Sequence, residues 1–402
     1  MTLKDRAAVV GVGATSFYKR GQSWPQTSME LACKAILAAC VDAGLTVTDI
    51  DGFALYSGPS VDPADVVGLL GIPEIRFAAT MTHGGGGAAG CVGLAAAAIV
   101  AGMANVVVSV MTLQQRNVRF GGTSSTAGPR AGAAYGGAGA GTSEAAFHAP
   151  VGLGSPGHSM AMLTQRHMHL YGTKREHLAE ICISQRNNAI RRPGALFRGP
   201  LTLDDYFAAR MISDPLCLFD YTMESDGAVA VITTSIERAR DLLQAPVVIK
   251  GSAAGGAWDD HHIIGWFQQP NDSFASSGHR SVARQVYDMA GVGPGDINVA
   301  LFYDHFSPLV LMQLEDYGFC SIGDGGPFVA DGNIRWPNGT IPVNTHGGHL
   351  SEAYIIGMTH VMEAVEQVRG TAINQVDGCE LALCTGGPAA IPMTATIFGR
   401  DR

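Results

Sequence analysis

The stretch from Pro342 to Met358, PVNTHGGHLSEAYIIGM, gathers two imidazoles (His346, His349), a carboxylate (Glu352) and a phenol (Tyr354) around a Gly347-Gly348 turn. These side chains can take and return protons, and a glycine turn that opens into a helix is a place where a rigid scaffold presents them. A second constellation, Tyr303-Asp304-His305-Phe306, lies in LFYDHFSPLVLMQLEDYGF. Two thiols have glycine-rich surroundings: Cys91 in MTHGGGGAAGCVG, after His83, and Cys384 at the head of CTGG. A helix N-terminus would activate a thiol, whereas the plainer reading of each is a small apolar core residue. Four arginines crowd QRNNAIRRPGALFRGP (Arg186, Arg191, Arg192, Arg198). Such local positive density suits phosphate groups; a solvated charged face is the plainer alternative. The loop GVGATS at Gly11 lacks the full dinucleotide fingerprint and its acidic partner, so a nucleotide site is not expected there.

These groups need elements to hold them. Ala7–Val12 (AAVVGV) reads as a buried strand running into a glycine loop. Met29–Ala43 has helical apolar spacing and is stopped by Gly44, and Asp49–Tyr56 is a second strand. The pattern then returns. AGLTVTDIDGFALY, ending at Tyr56, lies over AGVGPGDINVALFY, ending at Tyr303, each after an amphipathic helix, the later one spanning Ser281–Met289. VVGVGAT at Val9 matches VVIKGSA at Val247, and the helix and strand of Leu94–Val110 echo Ile355–Leu383. Two copies of one βαβ-rich unit imply a duplicated α/β fold, with halves at 1–244 and 245–402. An insertion at about 112–223 interrupts the first half. Its start, FGGTSSTAGPRAGAAYGGAGAGTSEAAFHAP, is low in complexity and fits either a surface loop or a loop covering a site. Met160–Tyr171 and Arg175–Ile190 within it read as helices, and DYTMESDGAVAVITT from Asp220 returns to strand.

Composition narrows the class. With 47% hydrophobic and 15% charged residues, the chain can bury large cores and is neither disordered nor fibrous. A net charge of −9 excludes broad nucleic-acid binding, which needs a basic surface. Glycines and Asn105 break the longest apolar run, Val92–Val110, so it reads as helix plus strand and not as a membrane span. Lys4, Asp5 and Arg6 interrupt any signal-peptide pattern at the start. Eight cysteines without a CxxC pair indicate neither a zinc site nor a disulfide framework, and point to free thiols in a reducing cytoplasm.

The duplicated unit, the Ser-Asp-Gly-Ala turn (Ser225–Ala228), the Asn344 stretch and the final CTGG together resemble thiolases of the sterol-carrier-protein type over nearly the whole chain. That resemblance implies a five-layered α/β/α/β/α thiolase fold, usually dimeric, acting on acyl-CoA thioesters. It also marks departures. The nucleophilic cysteine position falls on Gly85, with Cys91 about two helical turns further on. The histidine of the family's His-Asp-Cys-Phe motif falls on Tyr303, and that of its Gly-His-Pro motif on Tyr354. Cys384 stands at the position of a thiolase acid/base cysteine.

Without a thiol no acyl-enzyme forms, and two tyrosines at two histidine positions suggest a changed reaction. The pattern resembles the thiolase-like aldolases that shorten steroid side chains by retro-aldol cleavage of a β-hydroxyacyl-CoA, releasing a ketone or aldehyde and a shorter acyl-CoA. Such cleavage needs a base, an acid and donors for an enolate oxygen, but no covalent nucleophile. The expected roles are Tyr303 and Tyr354 as the acid/base pair, with His305, His346 and His349 orienting them. Backbone N–H groups of Gly85 and Gly386 would form the oxyanion hole, and the arginine cluster would meet the phosphates of CoA, which enters as part of the substrate. No metal and no covalently bound cofactor are expected. The resemblance further implies a small OB-fold partner with a zinc ribbon, giving a heterotetramer. Two alternatives stay open: a conventional thiolase or acyltransferase using Cys91 or Cys384, and a non-catalytic acyl-CoA or lipid-binding subunit.

Overall fold

Twelve strands account for most of the apolar runs among the described residues, which in this computed structural model are 2–56, 61–81, 87–117, 149–153, 155–257, 274–389 and 391–401. They are β1 (Ala7–Ala14), β2 (Tyr18–Lys19), β3 (Gly52–Tyr56), β4 (Phe77–Met81), β5 (Val106–Leu113), β6 (Met211–Ser213), β7 (Leu216–Cys217), β8 (Ser225–Ser235), β9 (Val247–Gly255), β10 (Val299–Leu301), β11 (Leu381–Gly386) and β12 (Met393–Arg400). The principal helices are α1 (Ser28–Ala43), α2 (Pro63–Leu70), α3 (Ala88–Val100), α4 (Pro156–Tyr171), α5 (Arg175–Ile190), α6 (Leu203–Ala208), α7 (Arg280–Ala290), α8 (Ser307–Asp316), α9 (Gly325–Ala330), α10 (Gly348–Ser351) and α11 (Met358–Arg369).

The sheet order is β10-β11-β12-β9-β1-β8-β5-β3-β4, and it contains one pattern twice. From its middle outward, β1-β8-β5-β3 runs antiparallel, antiparallel, parallel. On the other side β9-β12-β11-β10 repeats those relations in the same sequence. The halves meet where β1 pairs with β9 through Ala8–Val248 and Val9–Val247. These are the two stretches whose sequences echo one another. Gly13 and Gly251 occupy equivalent places in that echo, and both permit a helix to lie directly on its strand. A Cβ on Gly13 would collide with the α1 backbone at Ala35 and Ala39, and one on Gly251 would stand 2.8 Å from the Val286 carbonyl of α7.

Strands β5 and β8 are buried along nearly their whole length, so both sheet faces are covered. Helix α1 covers β1, β5 and β8 on one side, and α7 covers β9 and β12. Helix α3, AAGCVGLAAAAIV, is apolar all round, as a helix enclosed on every side must be. It touches strands of both halves and also α11, which itself reaches β10, β11, β12, β8 and β1. Outer helix, half-sheet, central helix pair, half-sheet and outer helix make the expected five layers.

Between β5 and β8 the inserted helices α4 and α5 fall where the apolar spacing predicts them, and α5 packs on α8, α9 and α10 of the second half. The low-complexity start of the insertion falls largely on residues 118–148, outside the described residues. One expectation is corrected. The helical run thought to open at the Gly347-Gly348 turn is broken: α10 is a single turn, and α11 begins only at Met358. Tyr354 therefore sits on irregular backbone, where Ile356 and Gly357 take φ values of 49° and 83° that a helix cannot continue. No helix among the described residues is long and apolar enough to cross a membrane.

Candidate active site

Tyr303 follows β10 directly and Tyr354 follows α10, 51 residues apart in sequence, yet their hydroxyl oxygens are 2.8 Å apart. Both rings are buried, Tyr303 completely. The contact has to be built from two chain segments, and each is fixed separately. The Tyr303 N–H donates to Thr385 Oγ1 (3.0 Å), and Gln313 Nε2 donates to the Tyr303 carbonyl (3.1 Å). Thr385 in turn donates to Gln313 Oε1 (2.6 Å), which closes the loop between β11 and α8. Tyr354 is gripped by Ser225 at the head of β8: its N–H donates to Ser225 Oγ (2.7 Å), and that hydroxyl donates to the Tyr354 carbonyl (3.0 Å).

Asp304 joins the two segments. Its carboxylate accepts from the backbone N–H of His349 (2.9 Å) and of Leu350 (3.2 Å), and from His360 Nε2 (2.9 Å). The Gly357 N–H donates to His349 Nε2 (3.1 Å), so that nitrogen is an acceptor and the neutral ring carries its proton on Nδ1, 3.2 Å from Asp304 Oδ1. The His349 ring stands edge-on to both phenols, with centroids at 4.6 Å from Tyr303 and 4.9 Å from Tyr354. Asp304, His349 and His360 bring three possible metal-ligand atoms within 4.8 Å of one another. The Asp304 oxygens are already taken up by the His349 and Leu350 backbone N–H groups and by His360 Nε2, so the carboxylate reads as a hydrogen-bonded brace, while His349 Nδ1 lies beside it without a hydrogen bond.

The other expected residues have different fates. His305 is buried, with its ring 5.2 Å from that of Tyr303. His346 lies against His360 (4.6 Å) and 3.9 Å from Glu352 Oε2. Burial pushes the His305 imidazole down to about 3, and holds His346 and His349 well below the usual histidine range, reinforced by neighbouring rings. All three are neutral at pH 7. Cys91 and Cys384 are fully enclosed, and burial pushes both thiols far up, which keeps them from being thiolates. Gly85 and His83 lie outside the described residues. Gly386 closes β11, where its carbonyl accepts from Thr394 Oγ1 (3.2 Å) and faces His279 Nε2 (3.3 Å).

The arginine cluster divides. Arg192 is buried against Glu352 (2.6 Å), Glu363 (2.8 Å) and Glu366 (3.4 Å), and Arg186 donates to Ser351 Oγ (3.0 Å) and the Gly199 carbonyl (3.2 Å). These two are committed to protein partners. Arg191, over the Trp336 ring at 4.8 Å, and Arg198 are the exposed members. Burial opposes the Arg192 charge, but its three carboxylates more than restore it. One cation among three acids leaves negative charge in excess, and burial pushes Glu352 up to about 8 and Glu366 up to about 7.

A cavity of about 130 Å³ opens onto this centre, with Tyr354, His305, Phe306, Tyr221, Gln115 and Gly157 in its wall. Of the centre of the brace, the sequence pattern offers Asp304 only as a member of the Tyr303–Phe306 constellation, without a role, and does not single out His360. His360 sits in a helix that reads as plain amphipathic, and no local spacing connects it to residue 304.

Residues 265–400 match the family model described as thiolase C-terminal domain-like. Over 402 residues the chain is 39% identical to a steroid side-chain-cleaving aldolase of Thermomonospora curvata, covering 100% of this chain and 99% of that relative. It is 38% identical to the 17-hydroxy-3-oxo-4-pregnene-20-carboxyl-CoA lyase of Mycobacterium tuberculosis, with 99% and 100% covered. A solved Ltp2-ChsH2(DUF35) aldolase superposes with a TM-score of 0.89 at 37% identity, each chain covered completely.

Proposed function

This chain belongs to the thiolase-like aldolases that cleave steroid side chains, and we propose that it splits the bond between the α and β carbons of a β-hydroxyacyl-CoA by retro-aldol chemistry. The Mycobacterium tuberculosis relative is named for a substrate with a 17-hydroxyl and a 20-carboxyl-CoA, and a bulky side chain of that kind is the proposed substrate class here. The observation that carries the reading is the 2.8 Å contact between the Tyr303 and Tyr354 hydroxyls, in a site where both nearby thiols are held protonated.

A base removes the β-hydroxyl proton, and the β carbon becomes a carbonyl as its bond to the α carbon breaks. The electron pair passes into the thioester as an enolate, and the α carbon then takes a proton. The products are a ketone or aldehyde and a shorter acyl-CoA, and no proton is gained or lost overall. Two hydrogen-bonded phenols suit this balance, because a proton taken by one can be returned through the other. Tyr354 lines the cavity and Tyr303 stands behind it, wholly enclosed. Asp304 and His349 hold the two segments in register, and the exposed Arg191 and Arg198 are the proposed phosphate contacts for CoA. The 37%-identical aldolase is a complex with a DUF35 protein, which supports a partner protein for this chain; an OB-fold, zinc-ribbon partner on a homodimer of this chain is the form proposed for it.

The test is turnover of a synthetic β-hydroxyacyl-CoA with a branched, steroid-like side chain, followed by mass spectrometry with the partner added. Release of a carbonyl product and a shortened acyl-CoA, lost in Tyr354→Phe and kept in Cys91→Ala, is expected. CoA-dependent thiolysis of a β-ketoacyl-CoA that dies with Cys91→Ala would overturn the reading in favour of a thiolase.

A further inference from the structure

Two polar side chains in the cavity wall are left short of hydrogen-bond partners. His305 is 3% exposed and makes no side-chain hydrogen bond among the described residues; its Nδ1 is enclosed and unpartnered. The Tyr221 hydroxyl is also enclosed, and its pairing with Ser213 falls short of an ordinary hydrogen bond. Leaving a buried polar group short of partners is costly, so two such groups facing one small cavity call for a function. Their juxtaposition is built. Tyr221 forms an antiparallel bridge with Phe306, and the Thr222 N–H donates to the His305 carbonyl (3.0 Å). Both rings stand edge-on to Phe306, at 4.9 Å for Tyr221 and 4.8 Å for His305. Gly157 completes the arrangement: a Cβ there would lie 2.6 Å from the Tyr221 hydroxyl, so glycine lets the phenol rest on the first turn of α4. That turn belongs to a 16-residue helix and presents its positive end to the cavity.

We propose that His305 and Tyr221 are the side-chain donors that hold the thioester enolate oxygen, at the N-terminal end of α4. The assignment rests on the aldolase reading and names the part of the site that bears the developing charge. Charge that appears only in the transition state is best met by donors fixed beforehand in a water-poor site. A neutral imidazole whose protonated form is confined to about pH 3 is too weak a base for the β-hydroxyl, but it donates an N–H without a formal charge. Burial also raises Tyr221, which keeps its proton available for donation. The remaining carboxylate of the cavity wall, Glu224, has Arg20 at 3.6 Å.

The deciding experiment uses the full chain with its partner and two assays. One is cleavage of the β-hydroxyacyl-CoA; the other is deuterium uptake at the α carbon of propanoyl-CoA in D2O, which requires the enolate but no carbon–carbon bond breaking. Tyr221→Phe and His305→Leu should each lower kcat about 10²–10³-fold with KM changed far less, as expected for loss of one oxyanion donor. Both should suppress deuterium uptake, and His305→Gln, which keeps an N–H donor, should recover part of each rate. Thermal melts identify a variant that has merely unfolded, and Tyr221→Phe, which keeps the ring on Gly157, then decides alone. If the parent cleaves while folded Tyr221→Phe and His305→Leu keep their rates within about threefold, the donor assignment is overturned and the aldolase reading stands. If the parent neither cleaves nor exchanges, both fall.

Discussion

At the scale of single residues, the site turns on two hydroxyl groups that share one hydrogen bond of 2.8 Å. A phenol free in solution ionises near pH 10, so either tyrosine serves as a base only through what its neighbours do to the charge it acquires. The nearest rings are neutral imidazoles, and the one carboxylate between the segments, Asp304, is turned toward backbone and imidazole N–H groups. The arrangement therefore favours passing a proton between the phenols over exporting it. Tyr303→Phe and Tyr354→Phe should each lower kcat about 10²–10⁴-fold, the range of general acid–base catalysis. The double variant should be little worse than the poorer single one, because the pair acts as a unit. Steady-state kinetics on the β-hydroxyacyl-CoA check this; multiplying losses would mean the two phenols work independently.

At the scale of elements, the site is a place where regular structure is interrupted on purpose. From Asn344 to Gly357 five residues take left-handed backbone: Asn344 (46°), Gly347 (104°), Gly348 (62°), Ile356 (49°) and Gly357 (83°). Such strain persists only where surrounding contacts over-determine it, and here the brace of Asp304 and His349 does so. Gly348 is the tightest point. A Cβ there would collide with the Asp304 carboxylate, and an L-residue in that conformation costs about 1–2 kcal/mol on its own. Gly348→Ala should lower the melting temperature and nearly abolish turnover, since the carboxylate that aligns both tyrosine segments must move. An unchanged melt with full activity would show the brace to be dispensable. This interruption was the part least legible beforehand. The repeat of VVGVGAT in VVIKGSA announced the duplicated sheet, because pleat and helix contact leave the same glycine at residues 13 and 251. The break at Tyr354 leaves no such mark. It depends on a Gly357 N–H finding His349 and on residues 349, 350 and 360 finding Asp304. For the same reason four neighbouring arginines looked alike: α5 ends at Ile190, and the turn after it sends Arg191 outward and Arg192 inward.

At the scale of the whole molecule, the five layers enclose both kinds of group whose titration is coupled to folding, and the two pull in opposite directions. Burial pushes His279 down to about 4 and His305 to about 3, and holds His346 and His349 well below the ordinary 6.5. As pH falls below about 6.5 the unfolded chain takes up protons that the native histidines refuse, so each weakens folding by about 1.4 kcal/mol per pH unit until its native pKa is reached. Glu352 and Glu366 behave inversely. Their native values of about 8 and about 7, against 4.5 when free, mean that the folded state keeps protons the unfolded chain releases. That contribution is complete below 4.5 and is lost as pH rises through 8. Between 4.5 and 6.5 four histidines outweigh two glutamates, and stability climbs with pH; above 6.5 the histidines fall silent and the glutamates make it decline. The melting temperature should therefore peak between about pH 6 and 7. Glu352→Gln, which can still accept from Arg192, should flatten the alkaline side and steepen the rise between pH 4.5 and 6.5, where one glutamate then opposes the four histidines. Thermal melts from pH 4 to 9 test this directly, and a parent protein whose melting temperature still rises between pH 7 and 8.5 would refute the assignment of the excess buried acid to the Arg192 cluster.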